Sequence, residues 1–202
     1  TIAVVAALDS PQISGEWGRA LTGAMIGVPV GYAVGGRVLD RIDRETSGLV
    51  LFSTNKVTRG RYSELFQNGQ IEKQYDARSN LVERPREDEW IVENRLVRDD
   101  TWFRSKVVEG DVNARSRIRL VDFKNNRARF RLFPVTGKKH QLRLHMSGLG
   151  FPIMNDRYYP ELLDKQDDDL SQPLQLIARR VRFLDPVSGQ AMEFESERKL
   201  LL

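Results

Sequence analysis

Three segments carry side chains of the types that do chemistry. The first, residues 40–50, reads DRIDRETSGLV, with acids and bases crowded ahead of Thr46-Ser47-Gly48 and an apolar run. A carboxylate such as Asp43, on a loop entering a buried strand, is held rigidly yet can face a cleft. That suits a nucleophile or a general base. A solvated loop with local ion pairs is the competing reading. The second segment is Lys73-Gln74-Tyr75-Asp76-Ala77, which sets a tyrosine on a strand. The third is TGKKHQLRLH, residues 136–145, where the i, i+3 spacing of His140 and Arg143 puts both on one helical face.

These segments need a scaffold, and the pattern of apolar residues supplies one. SGLVLFST, from Ser47, reads as a buried strand. NKVTRGRYSELFQNG follows, with Val57, Tyr62, Leu65 and Phe66 at near-helical spacing and Asn68-Gly69 as the stop. IEKQYDARSNLV is a strand. WIVENRLV, RSRIRLVDF and RARFRLFPV make a β-rich middle, with KNN as the hairpin turn between the last two. Arg127, Arg129 and Arg131 alternate with Ala128, Phe130 and Leu132, so the pleat puts three guanidinium groups on one face and an apolar stripe on the other. That basic face is either simply solvated or in contact with RNA. TGKKHQLRLHMSGLG is a turn into a helix closed by Gly150. DKQDDDL is an acidic exposed loop, and LQLIARRVRF, DPVSGQ and AMEFES form a final hairpin. The sum is one α+β domain over residues 1–202, a mixed and largely antiparallel sheet with flanking helices. Residues 1–36 are small and Gly-rich and do not match this pattern.

Composition narrows the functions. The 202 residues suffice for a sizeable core, and the balance of 32 Lys and Arg against 28 Asp and Glu permits a polyanionic partner without demanding one. The chain has no cysteine, which excludes disulfides, thiolate metal sites and a Cys nucleophile and fits a reducing, cytoplasmic compartment. With only His140 and His145, a His-rich metal centre is not expected. No apolar run reaches the ~20 residues of a membrane helix. The chain opens on Thr1 without a basic signal-peptide flank, so an N-terminal portion is expected to be absent or separate pieces joined.

In order along the chain, these motifs resemble the RluA-type pseudouridine synthases. DRIDRETSGLVLF is similar to their signature, usually His-Arg-Leu-Asp-x-x-Thr-Ser-Gly, and KQYDA to their Lys-x-Tyr-x-Ala. TGKKHQLRLHMSGLGFPIMNDRYY resembles their Thr-Gly-Arg-x-His-Gln-Ile-Arg-x-His followed by Gly-x-Pro-Ile-x-Gly-Asp-x-x-Tyr. LQLIARRVRFLDPVSGQAMEF matches the closing strands. The resemblance covers about residues 37–202. Asp40 stands where His is usual, Asn155 where Gly is usual, and no Lys-Pro-Ala-Gly-like segment precedes the first motif.

The resemblance implies a sheet with a central catalytic cleft and an enzyme that turns uridine in ribosomal or transfer RNA into pseudouridine, as a monomer and without metal or cofactor. Asp43 matches the catalytic aspartate, because Thr46-Ser47-Gly48 sets that register and excludes Asp40. Arg41 matches the arginine that fills the space left by the flipped uridine. Tyr75 matches the tyrosine that packs on the base, and Arg143 the basic residue that pairs with the aspartate. Arg44, Thr46, Lys73, His140 and Gln141 are expected to line the substrate site, with His140 and His145 also scaffolding the Arg143 turn. Base flipping costs a few kcal/mol, which an inserted arginine and an aromatic face offset in part. A guanidinium at 4–6 Å lowers a carboxylate pKa by ~1–3 units and so keeps Asp43 ionised. Two alternatives stand beside this reading. One is a catalytically silent RNA-binding relative; the other is a glycosidase-like enzyme, which expects a second carboxylate.

Overall fold

The computed structural model describes residues 4–5, 37–38, 43, 45–53, 55–163 and 172–201. The acidic DKQDDDL stretch and most of residues 1–36 lie outside them. The sheet is mixed and mostly antiparallel, with few helices. The chain divides into two compact units, one of residues 1–73 with 178–199 and the other of residues 74–177 with 200–202.

The first unit holds β1 (Val4–Val5), β2 (Arg37–Val38), β3 (Ser47–Gly48), β4 (Val50–Ser53) and helix α1 (Arg59–Gln67). β4 lies between β1 and β2 and is antiparallel to both. The apolar run after Ser47 therefore makes two short strands, where its composition predicts one. The break follows from Gly48, whose φ is +107° and whose Cα faces the backbone of Ala178. A Cβ there would sit 2.3 Å from the Ala178 carbonyl oxygen, so only glycine lets the chain pass. Leu49 N–H then donates to that same oxygen at 3.0 Å. Gly48→Ala is expected to cost roughly 2–5 kcal/mol, from a strained φ plus an unyielding backbone clash. Urea unfolding checks this; a loss under about 0.5 kcal/mol would mean the approach to Ala178 is not required.

α1 buries Tyr62 and Leu65. Val57, predicted to share that face, precedes the helix and is 89% exposed. The stop is a Schellman turn: Gly69 has φ +66°, and Gln70 N–H donates to the Leu65 carbonyl at 2.9 Å. Tyr62 donates its hydroxyl to Asp185 at 2.9 Å, and burial with the neighbouring carboxylate pushes that phenol up to about 12. β10 (Leu176–Leu184) and β11 (Ala191–Glu195) form the closing hairpin, with Arg180 opposite Glu195 and Leu184 opposite Ala191.

The second unit runs β5 (Glu72–Asn80), β9 (Arg127–Pro134), β8 (Ala114–Lys124), β6 (Glu89–Arg98) and β7 (Ser105–Val108) in spatial order, each antiparallel to its neighbour. β8 and β9 meet through Asn125 and Asn126, whose φ of 51° and 59° make the two-residue turn that a tight hairpin needs. Inward positions alternate as predicted, so Ala128, Phe130 and Leu132 of β9 and Ile118 and Leu120 of β8 form the core. Phe130 stacks on Phe151 at 5.3 Å, and Trp90 meets Phe151 edge-on at 5.0 Å. Helix α2 (Gln141–Gly148) adds Leu142 and Met146 to this core and ends in a second Schellman turn at Gly150, with φ +80° and Phe151 N–H on the Met146 carbonyl at 2.9 Å.

The opposite face of the sheet is basic. Arg119 lies directly across from Arg131, and Arg78 across from Arg129. Arg115 and Arg117 pair with Glu93 and Glu89, and Arg131 stands 3.9 Å from Asp76. Arg119, Arg127 and Arg129 have no carboxylate within ion-pair distance among the described residues. Like charges directly opposite one another are destabilising, so the two arginine pairs do not themselves strengthen the sheet.

Candidate active site

In the first unit, Asp43 sits half-buried at the head of a turn, its carbonyl accepting Thr46 N–H at 3.0 Å. Thr46 is buried, and the chain enters β3 immediately after it. The TSG run thus holds Asp43 on a short tether anchored by the Gly48–Ala178 approach. Lys73, half-buried in β5, closes this unit. Arg41 and Arg44 lie outside the described residues.

In the second unit, Tyr75 stands opposite Leu132 and packs its ring half-buried against the core. The turn into α2 is built by Thr136 and Gln141. The Thr136 hydroxyl accepts Arg115 N–H at 2.9 Å and donates to Gln141 Oε1 at 2.7 Å, which also accepts Lys138 N–H at 3.0 Å. Gln141 Nε2 donates to the Arg115 carbonyl and to Ser116 Oγ. With its amide fully engaged and only 3% exposed, Gln141 anchors the turn to β8. The donors and acceptors of its side-chain amide are all used within the turn and against β8.

His140 caps α2 in the left-handed region at φ +57°. A non-glycine residue there costs on the order of 1–3 kcal/mol and persists only where its surroundings hold it. Here the ring packs against Tyr158 and Tyr159, and Nδ1 lies 2.9 Å from Tyr159 Oη. Tyr159 gives its own proton to the Ser105 carbonyl at 3.0 Å and accepts Ser105 N–H at 2.9 Å. The His140 contact therefore takes an Nδ1–H donor, which makes Nε2 the acceptor nitrogen of a neutral ring. Burial, reinforced by Arg143, Lys139 and Arg104, lowers this imidazole to about 3.

Arg143, one α-helical turn on, is 1% exposed. Its Nε donates to Asp156 Oδ2 at 2.8 Å and its Nη2 to Oδ1, a bidentate clasp. Asp156 Oδ1 also accepts the backbone N–H groups of Tyr158 at 2.8 Å and Tyr159 at 3.1 Å. The guanidinium lies over the Tyr158 ring, 4.6 Å from its centre. The result is a fixed cation whose edge is held by a carboxylate and whose face lies over a ring.

A sequence model of the family described as RNA pseudouridylate synthase matches residues 33–148, more than half of the chain. The chain belongs to this family. Among similar proteins, the dual-specificity RNA pseudouridine synthase RluA of Salmonella typhimurium is 35% identical over 162 residues, which are 77% of this chain and 70% of that protein. The RluA of Pasteurella multocida is 34% identical over 160 residues, again 77% and 70%. Human RNA pseudouridylate synthase domain containing 4 shares the fold with a TM-score of 0.62 at 25% identity, over 82% of this chain and 72% of that one. Human RNA pseudouridylate synthase domain containing 1 gives a TM-score of 0.67 at 22% identity, over 81% and 69%. The protein is thus an RluA-type RNA pseudouridine synthase, an isomerase.

Within the RluA-type frame the structure explains one departure. Asn155 has φ +62°, in the region glycine favours, and asparagine is among the side chains that best tolerate it. Its Nδ2 also donates to the Pro173 carbonyl at 3.0 Å. The residues that sequence reasoning left without a role are Asp156, Tyr158 and Tyr159. The signal was the NDRYY run itself, an acid followed after one intervening residue by two tyrosines that can close over whatever the acid holds. Among the described residues, no group of three or more His, Asp or Glu could hold a metal ion, and no helix is long and apolar enough to cross a membrane.

His145, also in α2 and 1% exposed, places Nε2 3.1 Å from Asn94 Oδ1 and is lowered by burial to about 4. Both histidines therefore refuse protons in the folded state that the unfolded chain takes up below pH ~6.5. Stability from them is complete above that pH and falls as pH drops towards the folded values, by about 2 kcal/mol each at pH 5. Urea midpoints at pH 7.5 and 5 measure this, since most carboxylates stay ionised across that interval. His140→Asn/His145→Asn should flatten the difference; an equally steep loss without either histidine would assign it elsewhere.

Proposed function

We propose that this synthase isomerises specific uridines of structured ribosomal or transfer RNA, in the cytoplasm and as a monomer, with Asp43 as its catalytic residue. The N1–C1′ bond breaks, the uracil turns, C5 bonds to C1′, and the C5 proton leaves to solvent while N1 gains one. Asp43 either attacks sugar or base, or removes a sugar proton to give a glycal. Tyr75 packs on the base, and Arg41 occupies the space the flipped uridine vacates. Arg143 supplies positive charge that keeps the aspartate ionised, while Arg44, Thr46, Lys73 and His140 line the substrate site.

The observation that carries this reading is the Arg143–Asp156–Tyr158 clasp. A fully buried guanidinium loses its hydration, and a fold retains one only where its orientation is used or its partner compensates it. This one falls on the motif position that the resemblance assigns to the basic partner of the aspartate. The opposed arginines of the basic sheet face support a polyanionic substrate, because phosphates would relieve their repulsion.

The test is tritium release from RNA labelled at uridine C5, prepared from cells lacking the protein. Release from one RNA class establishes the activity and names its substrate class. Tight binding without release from either class would make the protein a silent RNA-binding relative.

A further inference from the structure

We propose that the cavity beside Trp102 binds an unpaired nucleotide of the RNA, stacking its base on the indole and holding its phosphates with Lys138 and Lys139. This rests on the RNA-acting reading above and extends it to a second contact. Trp102 belongs to the turn between β6 and β7 and is 70% exposed, an unusual position for the largest apolar ring. Beside it lies an open cavity of about 470 Å³, lined by Leu96, Arg98, Trp102, Ser105, Lys138 and Lys139. That size falls in the range of small-ligand sites.

The turn is preorganised. Asp99 N–H donates to the Arg104 carbonyl at 3.1 Å, Arg104 N–H to the Thr101 carbonyl at 2.9 Å, and the Thr101 hydroxyl to Asp99 at 3.3 Å. Trp102 stands edge-on to Phe103 at 5.8 Å, and Phe103 in turn rests against Tyr158 at 5.5 Å. Phe103 thus links Trp102 to Tyr158, the ring over which Arg143 lies.

Charge points to an anion. The turn's own acids are engaged, Asp100 by Lys106 at 2.8 Å and Asp99 by Lys106 at 3.7 Å and Arg104 at 4.0 Å. Arg98, Lys138 and Lys139, in contrast, have no carboxylate within ion-pair distance among the described residues. An exposed ring among uncompensated cations is the pattern of single-strand nucleic-acid binding, where bases stack and phosphates meet Lys or Arg. A buried duplex base could not reach the indole. Lys139 directly precedes His140, so the cavity opens beside the turn into α2, where a base next to an extruded uridine has lost its stacking partner.

The experiment measures equilibrium binding of a fluorescein-labelled ten-nucleotide oligouridylate and of a fully paired RNA hairpin to the full chain and its variants. Trp102→Ala should weaken the single strand about ten- to a hundredfold and leave the hairpin within about twofold, while Trp102→Phe keeps most of the affinity. Lys138→Ala/Lys139→Ala should reduce the slope of log affinity against log salt for the single strand by about 1.4. Unchanged oligouridylate binding by Trp102→Ala, or equal losses for both RNAs, would overturn the stacking site. An unchanged salt slope would overturn the phosphate contacts. Tritium release by the same wild-type protein reads the isomerase separately, so either idea can fail while the other stands.

Discussion

Asp43→Asn should bind RNA within a fewfold of the wild type and release tritium on the order of 10³-fold more slowly, or not at all. The substitution is nearly isosteric. It removes the charge that either attack or proton abstraction needs and keeps the volume of the side chain. The turn should survive, because Thr46 N–H is held by the backbone carbonyl of Asp43 and not by its carboxylate. A loss confined to kcat, with unchanged urea midpoint and unchanged Kd, is the expected signature. Asp43→Asn with more than a tenth of wild-type turnover would place the chemistry on another group.

Asp156→Ala should be the most damaging single change to stability, at about 3–5 kcal/mol, a large share of the 5–15 kcal/mol that holds a typical domain together. The side chains of Arg143 and Asp156 are each 1% exposed, so the variant takes the bidentate carboxylate from a buried guanidinium and frees the N–H groups of Tyr158 and Tyr159 as well. Removing both charges separates the two contributions. Arg143→Met/Asp156→Ala should recover much of the lost midpoint, because an apolar side chain of similar length needs no counter-ion. It should not recover turnover if Arg143 has the electrostatic role proposed. Equal instability in the single and double variants would show that the carboxylate matters chiefly to the two backbone amides.

Much of this protein is legible where the determinants are local. The alternation in RARFRLF places Phe130 inside and Arg129 outside because a strand's side chains reverse at every residue. Asn125-Asn126 and the glycines 69 and 150 mark turns because their φ values are ones few other residues accept. The motif order was likewise enough to single out the family, since a motif is a short-range pattern.

What the sequence could not settle depends on distant partners. Nothing within SGLVLFST announces its break at Leu49, which Ala178 imposes from far along the chain. Val57 has helical spacing with Tyr62 and Leu65, but the helix begins at Arg59, after it. The motif around Gln141 does not announce that Arg115, Ser116, Thr136 and Lys138 use its whole amide. Asp156 and Arg143 are thirteen residues apart with a helix end and a turn between them. The sequence by itself determined the local elements and the family, because periodicity, turn preference and motif spacing act over a few residues. Only the tertiary structure decided which buried polar groups hold Arg143 in place, because a buried charge is stable only beside partners that the fold brings from elsewhere.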